Sequence, residues 1–325
     1  MKHLLFHRKN IAIERAGRVD AGDGQNQVIK ACQIGHSKFA TKESRVTMHV
    51  SETKTQTLSE WLDPARAQAL HVTLGRPGTP PENGDALPSF WHQIYFWDAQ
   101  PSANLGVDCH PKTGIGLIPD LGLPQRMWAG GRLQFHGALR LGEIAKKRSV
   151  LESVSEKTGR SGRLGFVTLR HEYRQNGTLM VTEQQDLVYR EPPENRTKIA
   201  APVARQDEDV CHPITFNTTQ LFRYSALTFN GHRIHYDADY ARDVEGYAGL
   251  VVHGPLLAQL LIGLAEQQMD RLHSFEFRAT SPVMDYEAVD LCWKADRTLS
   301  VRGPGGRLSI SAHPRSNVSP PRNPS

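Results

Sequence analysis

A single helix restricts the fold of this chain more than any other segment. Residues 255–268 are predicted to form it, with a stripe of leucines along one side and alanine or isoleucine on the others. The stripe consists of Leu256, Leu257, Leu260, Leu261 and Leu264, and the residues outside it are Ala258, Ile262 and Ala265. A helix that is apolar on nearly every face must be enclosed by protein on most sides. We therefore expect other elements to surround it.

Strand patterns account for most of the remaining chain. Alternation of apolar and polar residues predicts antiparallel strands at 132–141, 146–156, 167–173, 179–189, 215–224, 274–279, 289–295 and 299–301. Asn176-Gly177 lies between two of these runs and is typical of a tight hairpin, because both turn positions require positive φ. One long helix enclosed by a curled antiparallel sheet is the hot dog arrangement, of the α+β class. A helix bundle would need more helices than this sequence offers.

The order of the elements indicates two similar halves. A helix predicted at 88–97 precedes the first strands, as the helix at 255–268 precedes the last. A capped amphipathic helix is also predicted at 59–70. We therefore expect a double hot dog, inferred from layout because the halves share no evident sequence identity. The expected segments are an extension at 1–47 (disordered, or the result of a start codon placed too early), a degenerate hot dog at 48–190, a linker at 191–206, a catalytic hot dog at 207–312 and a disordered tail at 313–325.

Composition argues against several classes of protein. The net charge of +5 is small for 325 residues, and no block of basic residues is interleaved with aromatics, so nucleic acid is not expected as a partner. The apolar run at 249–265 is too short and too interrupted for a membrane span, and no signal-peptide core is evident. The four cysteines lie far apart, which favours reduced thiols. A cytoplasmic location is expected, or a mitochondrial one in a eukaryote.

The segment from Asn230 to Pro255 carries the candidate chemistry. A polar loop supplies Asn230 and, five residues later, His235, and a helix then begins at His253-Gly254-Pro255. The first N–H groups of a helix have no partner within it and carry a partial positive charge. The N–H of Gly254 is therefore suited to a carbonyl oxygen on which negative charge develops. His235 can exchange a proton with water, and Asn230 can orient that water through its carbonyl oxygen.

Two stretches carry a family resemblance. They are Ser225-Ala-Leu-Thr-Phe-Asn-Gly-His-Arg-Ile-His-Tyr-Asp237 and Met127-Trp-Ala-Gly-Gly-Arg-Leu133. The first resembles the loop of MaoC-like hot dog hydratases and dehydratases, in which Asp, four residues and His precede the hot dog helix and a His-Gly step begins it. Residues 58–312 as a whole resemble the two-hot-dog branch with a FAS1-like dehydratase domain, whose members include hydratases of mesaconyl-C4-CoA and itaconyl-CoA.

The resemblance implies a hydro-lyase that adds water to a 2,3-unsaturated acyl-CoA thioester, or removes it, without a cofactor. The expected substrate is a branched dicarboxylic acyl-CoA such as mesaconyl-C4-CoA or itaconyl-CoA. The alternatives are a 3-hydroxyacyl-thioester dehydratase for straight chains on CoA or acyl carrier protein, a hot dog thioesterase, and a non-catalytic acyl-CoA-binding protein. A homodimer is expected by analogy alone.

One position departs from the family pattern. Asn230 stands where the family has aspartate, and an amide cannot act as a general base. We therefore expect His235 to be the sole proton-transfer residue and Asn230 to position the water or the thioester. His232 and His235 are not expected to bind a metal, because no third ligand has a recognisable spacing.

Several further residues are candidates for substrate binding. Arg132, Arg233 and Arg278 each suit a carboxylate or a CoA phosphate, because guanidinium forms a planar fork. Arg233 is the strongest of the three, since it lies within the loop that carries His235. His253 and Ser225 are also candidates, with capping or other structural roles as the alternative for each.

Overall fold

One antiparallel sheet of eleven strands forms the body of the protein, in a computed structural model that describes residues 45–47, 54–159, 162–191 and 201–316. The strands are β1 Arg45–Thr47, β2 Thr55–Trp61, β3 Gln125–Phe135, β4 Ile144–Gly159, β5 Gly162–Gln175, β6 Thr178–Arg190, β7 Val210–Ile214, β8 Ser274–Ala279, β9 Val289–Lys294, β10 Thr298–Gly303 and β11 Arg307–Arg315. The helices are α1 Pro64–Thr73, α2 Thr218–Leu227, α3 Ala238–Asp243 and α4 Gly254–Gln268. Residues 1–44, 192–200 and 317–325, which include most of the expected extension, linker and tail, lie outside the described residues.

The sheet repeats one topology twice. The first half has the strand order β2-β4-β5-β6-β3, with β1 beside the far end of β4, and the second half has the order β7-β9-β10-β11-β8. The two orders match strand for strand. The halves join where β3 pairs with β8, from Gly130 opposite Arg278 to Gln134 opposite Ser274. This arrangement confirms the expected double hot dog.

The helix α4 is enclosed as its composition requires. It packs against β8, β9, β10 and β11 of the second half. Every residue of the leucine stripe except Leu260 is fully buried, and Ala258, Ile262 and Ala265 on its other faces are buried as well. Among the residues that the structure describes, no helix has the length and apolar character that a bilayer span requires.

The first half differs from the prediction at the equivalent position. Residues 88–97 do not form a long helix; they contain only a short 3-10 helix at Trp91–Ile94. Phe90 (φ 69°) and Phe96 (φ 60°) on either side adopt left-handed backbone conformations, which end a helix at once. The ring of Phe90 packs against Trp128, and that of Phe96 packs against Tyr173. Tertiary packing therefore holds this segment in an irregular conformation on the sheet.

One other predicted element was wrong at its start, and another was wrong in type. Residues 59–61 belong to strand β2, and the helix begins only at Pro64, where the side chain of Asp63 accepts a hydrogen bond from Ala65 N. Residues 218–224, predicted as strand, lie in helix α2, because the side chain of Asn217 caps its first turn by accepting from Gln220 N. Both cases follow from an N-cap residue that outweighs the local apolar pattern.

Some strand boundaries also differ from the prediction. Strand β3 covers Gln125–Phe135 instead of 132–141, and β11 continues through His313 to Arg315, where a tail was expected. The hairpin at Asn176-Gly177 is confirmed, with φ of 50° and 77°. The strands predicted at 146–156, 167–173, 179–189, 274–279, 289–295 and 299–301 lie where the alternation places them, within five residues at each end. No strand was predicted at β1, β2, β7 or β11.

Candidate active site

The loop after α2 is folded tightly on itself. Phe229 adopts φ 51°, and Asn230 N donates to Ser225 O at 2.8 Å. Asn230 Oδ1 accepts from the backbone N–H of His232 at 3.0 Å. A 3-10 helix at Arg233–His235 follows, and it turns the His235 ring into the protein, where the residue is 6% exposed.

A cavity of about 350 Å³ lies between the two halves of the sheet. Asn230, His235 and Gly254 all line it, so the structure brings the three predicted catalytic residues to one space. Its wall is completed by apolar side chains such as Phe96, Trp128, Val252 and Leu257. A concave, mostly apolar site with a few convergent polar groups is typical of a small-molecule pocket.

His235 is held in one protonation state. Its Nδ1 lies 2.7 Å from the carbonyl oxygen of Val251, and because a carbonyl only accepts, Nδ1 carries the hydrogen. Burial lowers the pKa of His235 to about 4, so the ring is neutral near pH 7. The second nitrogen, Nε2, is therefore an unprotonated acceptor, which is the form that a general base requires.

His253 lies beside His235, and Ser225 lies beside His253; neither is part of the cavity wall. The rings of His253 and His235 are stacked, with centroids 3.6 Å apart and an interplanar angle of 20°. His253 Nε2 and Ser225 Oγ are 2.8 Å apart, and His253 Nδ1 has no partner in the described part of the chain. Burial, together with His235, holds the pKa of His253 well below its usual range. The predicted substrate contacts therefore lie one layer from the cavity and support the His235 ring.

Gly254 is the first residue of α4, with Pro255 next to it. Because it is in the first turn, its N–H has no intrahelical acceptor. A Cβ built on Gly254 would meet no atom within 4 Å. The glycine therefore leaves open space in front of a helix N-terminus that faces the cavity.

Asn230 presents its amide nitrogen to the cavity, whereas its carbonyl oxygen was expected there. Its carbonyl oxygen already accepts the His232 N–H, an Asx-type turn that fixes which end of the amide is oxygen. The Nδ2 group remains as a donor at the cavity wall. Asn230 can therefore donate a hydrogen bond to a ligand oxygen.

The three candidate arginines do not line the cavity. Arg233 Nε and NH2 both donate to Asp237 Oδ2, at 3.0 and 2.7 Å, and its guanidinium lies 4.1 Å from the Tyr240 ring centroid. Arg132 donates to Asp186 on the neighbouring strand β6. Arg278 lies on β8, opposite Gly130. The structure thus places them outside the space that Asn230, His235 and Gly254 share.

The cavity contains polar residues that the sequence did not single out. His110 Nδ1 accepts from Arg126 NH1 at 3.0 Å, and its ring lies 4.7 Å from that of His232. Burial lowers the pKa of both histidines. Lys147, from strand β4, lines the cavity as well. His110 and Lys147 come from the first half. Of these three residues, only Arg126 could have been found from the sequence, because it directly precedes the Met127–Leu133 motif.

Comparison with known proteins identifies the family. The family model described as hydroxyacyl-thioester dehydratase type 2 matches residues 90–285. A mesaconyl-C(4)-CoA hydratase from Chloroflexus aurantiacus is 42% identical over 256 residues, which cover 76% of this chain and 90% of that protein.

Solved structures share the fold at low sequence identity. HtdX of Mycobacterium tuberculosis matches with a TM-score of 0.58 and 17% identity, over 81% of this chain and 99% of that one. A conserved hypothetical protein of the same organism, described as a double hotdog fold, matches with a TM-score of 0.50 and 12% identity, over 80% of this chain and 95% of that one. The family match covers most of the sheet and the whole loop around His235, so the chain belongs to the MaoC-like hydroxyacyl-thioester dehydratase type 2 family of hot dog proteins.

Proposed function

We propose that the protein is a hydro-lyase that adds water across the 2,3-double bond of an acyl-CoA thioester, and removes it in the reverse direction. The observation that carries the proposal is the shared cavity wall of His235, with an unprotonated Nε2, and Gly254, with a free helix N-terminus. Family membership supports the same class of reaction.

The N–H of Gly254 acts on the thioester. The thioester oxygen accepts this hydrogen bond, and the positive end of α4 adds to the same field. When the double bond is attacked, its electron pair moves toward the carbonyl and charge accumulates on that oxygen as an enolate. One fixed donor at such a position is typically worth about 3 kcal/mol of barrier.

His235 moves the proton. Its Nε2 removes a proton from water while the water oxygen bonds to C3 of the acyl chain. Asn230 Nδ2 donates to the second lone pair of that oxygen and so orients it. The imidazolium formed on His235 then delivers its proton to C2, the enolate returns to a thioester, and the ring is neutral again. Dehydration is the same sequence reversed.

The proposed substrate is a branched dicarboxylic acyl-CoA of the mesaconyl-C4-CoA kind. The support is the 42% identity to a protein named as a mesaconyl-C(4)-CoA hydratase. The family description favours a second candidate, dehydration of 3-hydroxyacyl thioesters, which uses the same residues in reverse. A homodimer and a cytoplasmic location remain predictions.

The direct test is loss of the enoyl-thioester absorbance of mesaconyl-C4-, itaconyl- and crotonyl-CoA, measured together with free thiol. We expect absorbance loss without thiol release. Thiol release would instead identify a thioesterase, and no change with any substrate would identify a binding protein.

His235→Ala should lower kcat by about 10³-fold, since a positioned acid–base group contributes roughly 10²–10⁴-fold. His212→Ala, at an exposed position on β7, is the matched control and should keep full activity. A His235→Ala enzyme with wild-type kcat would contradict the proposed mechanism.

A further inference from the structure

The cavity has a second polar region in the first half of the sheet. Lys147 of β4 and Gln185 of β6 line it, together with Gln93 from the 3-10 helix. Lys147 lies between the buried neighbours Ala145 and Ser149 on the inner face of β4. A lysine at an inward-facing strand position is unusual, because its charge must leave water.

Lys147 has no anionic contact of its own. Its Nζ lies 5.6 Å from the centroid of the Tyr173 ring, and within the described residues the ammonium group takes part in no hydrogen bond or ion pair. A cation over an aromatic face is weakly stabilised. This contact leaves its three donor hydrogens available on the cavity side.

Two carboxylates act on Lys147 through their charge, and neither forms a hydrogen bond or ion pair with it. Asp98 is exposed, lines the cavity and accepts from Gln100 Nε2.

The other carboxylate, Glu183, is buried and occupied by other donors. It accepts from His92 Nε2 at 3.1 Å, from Gln93 Nε2 at 2.9 and 3.0 Å, and from Tyr173 OH at 2.8 Å. Burial raises the pKa of Glu183, but the hydrogen bond and charge of His92, with the charges of His171 and Lys147, lower it to about 2. Burial lowers the pKa of Lys147, and the negative charges of Glu183 and Asp98 oppose that effect and favour the protonated amine.

We propose that Lys147 binds the free carboxylate of a dicarboxylic acyl thioester and so selects that class of substrate. The proposal rests on the proposed function, which places the thioester at Gly254 and the double bond at His235. The acyl group then extends over the remaining wall of the same cavity, which carries Lys147. A carboxylate there pairs with the ammonium, whereas a plain hydrocarbon would cover it and leave a buried charge without a partner.

The test compares Lys147→Met with wild type on two substrates, mesaconyl-C4-CoA and crotonyl-CoA. Methionine keeps the unbranched shape and most of the length, and it removes the charge. We expect kcat/KM for mesaconyl-C4-CoA to fall about 100-fold more than kcat/KM for crotonyl-CoA, because a charge-assisted hydrogen bond is lost with one substrate only. Lys147→Arg should recover most of the preference.

Lys146→Met is the matched control. Lys146 is the adjacent residue on β4, is exposed, and carries the same charge, so its replacement should leave both rates unchanged. A structural role of Lys147 would lower both rates equally, and that result would overturn the proposal. Selective loss in Arg126→Met but not in Lys147→Met would also overturn it, by placing the carboxylate beside His110.

The two proposals fail in distinguishable ways. If wild type hydrates neither substrate, the proposed function is wrong. If wild type hydrates crotonyl-CoA and Lys147→Met has the same preference as wild type, the reaction stands and the carboxylate site is wrong.

Discussion

At the scale of single residues, the state of His235 decides the chemistry. The Val251 carbonyl fixes the hydrogen on Nδ1, and the stacked ring of His253 packs against the imidazole. Because the centroids of these two buried imidazoles lie only 3.6 Å apart, a positive charge on one ring disfavours a positive charge on the other. His253, held by Ser225, therefore keeps the His235 ring oriented, and burial keeps that ring neutral.

This arrangement predicts an unusual pH dependence. Because the pKa of His235 is lowered to about 4, kcat/KM should stay flat from pH 7.5 to about 5.5, and its acid limb should lie near 4 instead of near 6.5. Initial rates across this range measure it, and enzyme returned to pH 7 must regain full activity to exclude unfolding. A limb near pH 6.5 would contradict the assignment of His235 as a buried neutral base.

Asn230 shows what sequence can and cannot give at this scale. Its type excludes it as a base, and that conclusion needs no coordinates. The group that it presents to the cavity depends on the turn to His232, which only the folded loop reveals. Arg233 is similar, since its position in the loop made it the best candidate clamp while the structure pairs it with Asp237.

At the scale of elements, the N-terminus of α4 has both a structural and a proposed catalytic role. The same residue, Gly254, begins the helix and faces the cavity. Since its φ is not in the left-handed region and a Cβ would meet open space, the glycine is not required by the backbone. Its advantage is that, without a side chain, it lets a ligand atom approach the Gly254 N–H closely.

Gly254→Ala should therefore separate stability from activity. We expect a free energy of unfolding equal to wild type or higher by up to about 1 kcal/mol, and a kcat/KM lowered by about 10- to 100-fold because the methyl group enters the substrate space. Urea unfolding and hydration rates measure the two effects. Gly263 is the control on the same helix, because a Cβ built there would meet only Arg76 NH2, at 3.8 Å. Gly263→Ala should give the same free energy of unfolding as wild type or a higher one, with wild-type kcat/KM.

Element types were predictable where the local sequence pattern is strong. The helix α4 and the hairpin at Asn176-Gly177 have strong local signals, and both were found in place. The region at 88–97 has apolar content that fits a helix, but packing of Phe90 against Trp128 and Phe277 imposes the left-handed conformation. That cause lies in residues distant in sequence, so no local pattern could show it.

At the scale of the whole molecule, the seam between β3 and β8 unites the halves. A Cβ on Gly130 would lie 2.5 Å from the carbonyl oxygen of Phe277, and one on Gly131 would lie 2.9 Å from the Phe277 ring. The paired glycines of the Met127–Leu133 motif thus permit the close approach of the two strands. The motif supported the family resemblance, and the structure gives it this physical role.

The buried histidines predict that the fold is sensitive to mild acid. The pKa values of His235 and His171 are lowered to about 4 and about 3, in both cases mainly by burial. A depressed folded-state pKa means that the unfolded chain takes up protons first, so stability is fully present above about pH 6.5 and is lost as the pH falls. Protonation linked to each histidine should lower the free energy of unfolding by about 2 kcal/mol between pH 7 and pH 5.

Urea unfolding at pH 7 and pH 5 measures this loss, and His171→Gln should reduce it by about 2 kcal/mol. His212→Gln, at an exposed position, should leave it unchanged. Equal unfolding free energies at the two pH values would show that the histidines are not buried in their neutral form. Glu183 adds a separate loss at lower pH, as its carboxylate is protonated between about 4.5 and 2.

The short segment at Trp91–Ile94 has a consequence for how this protein can diversify. Within the described part of the first half, no long helix lies where α4 lies in the second, and residues of the sheet's inner face border the cavity directly. Side chains such as Lys147 can therefore change without disturbing the loop that holds the reacting groups. A duplicated scaffold in which one copy keeps the chemistry leaves the other free to adapt to new acyl groups.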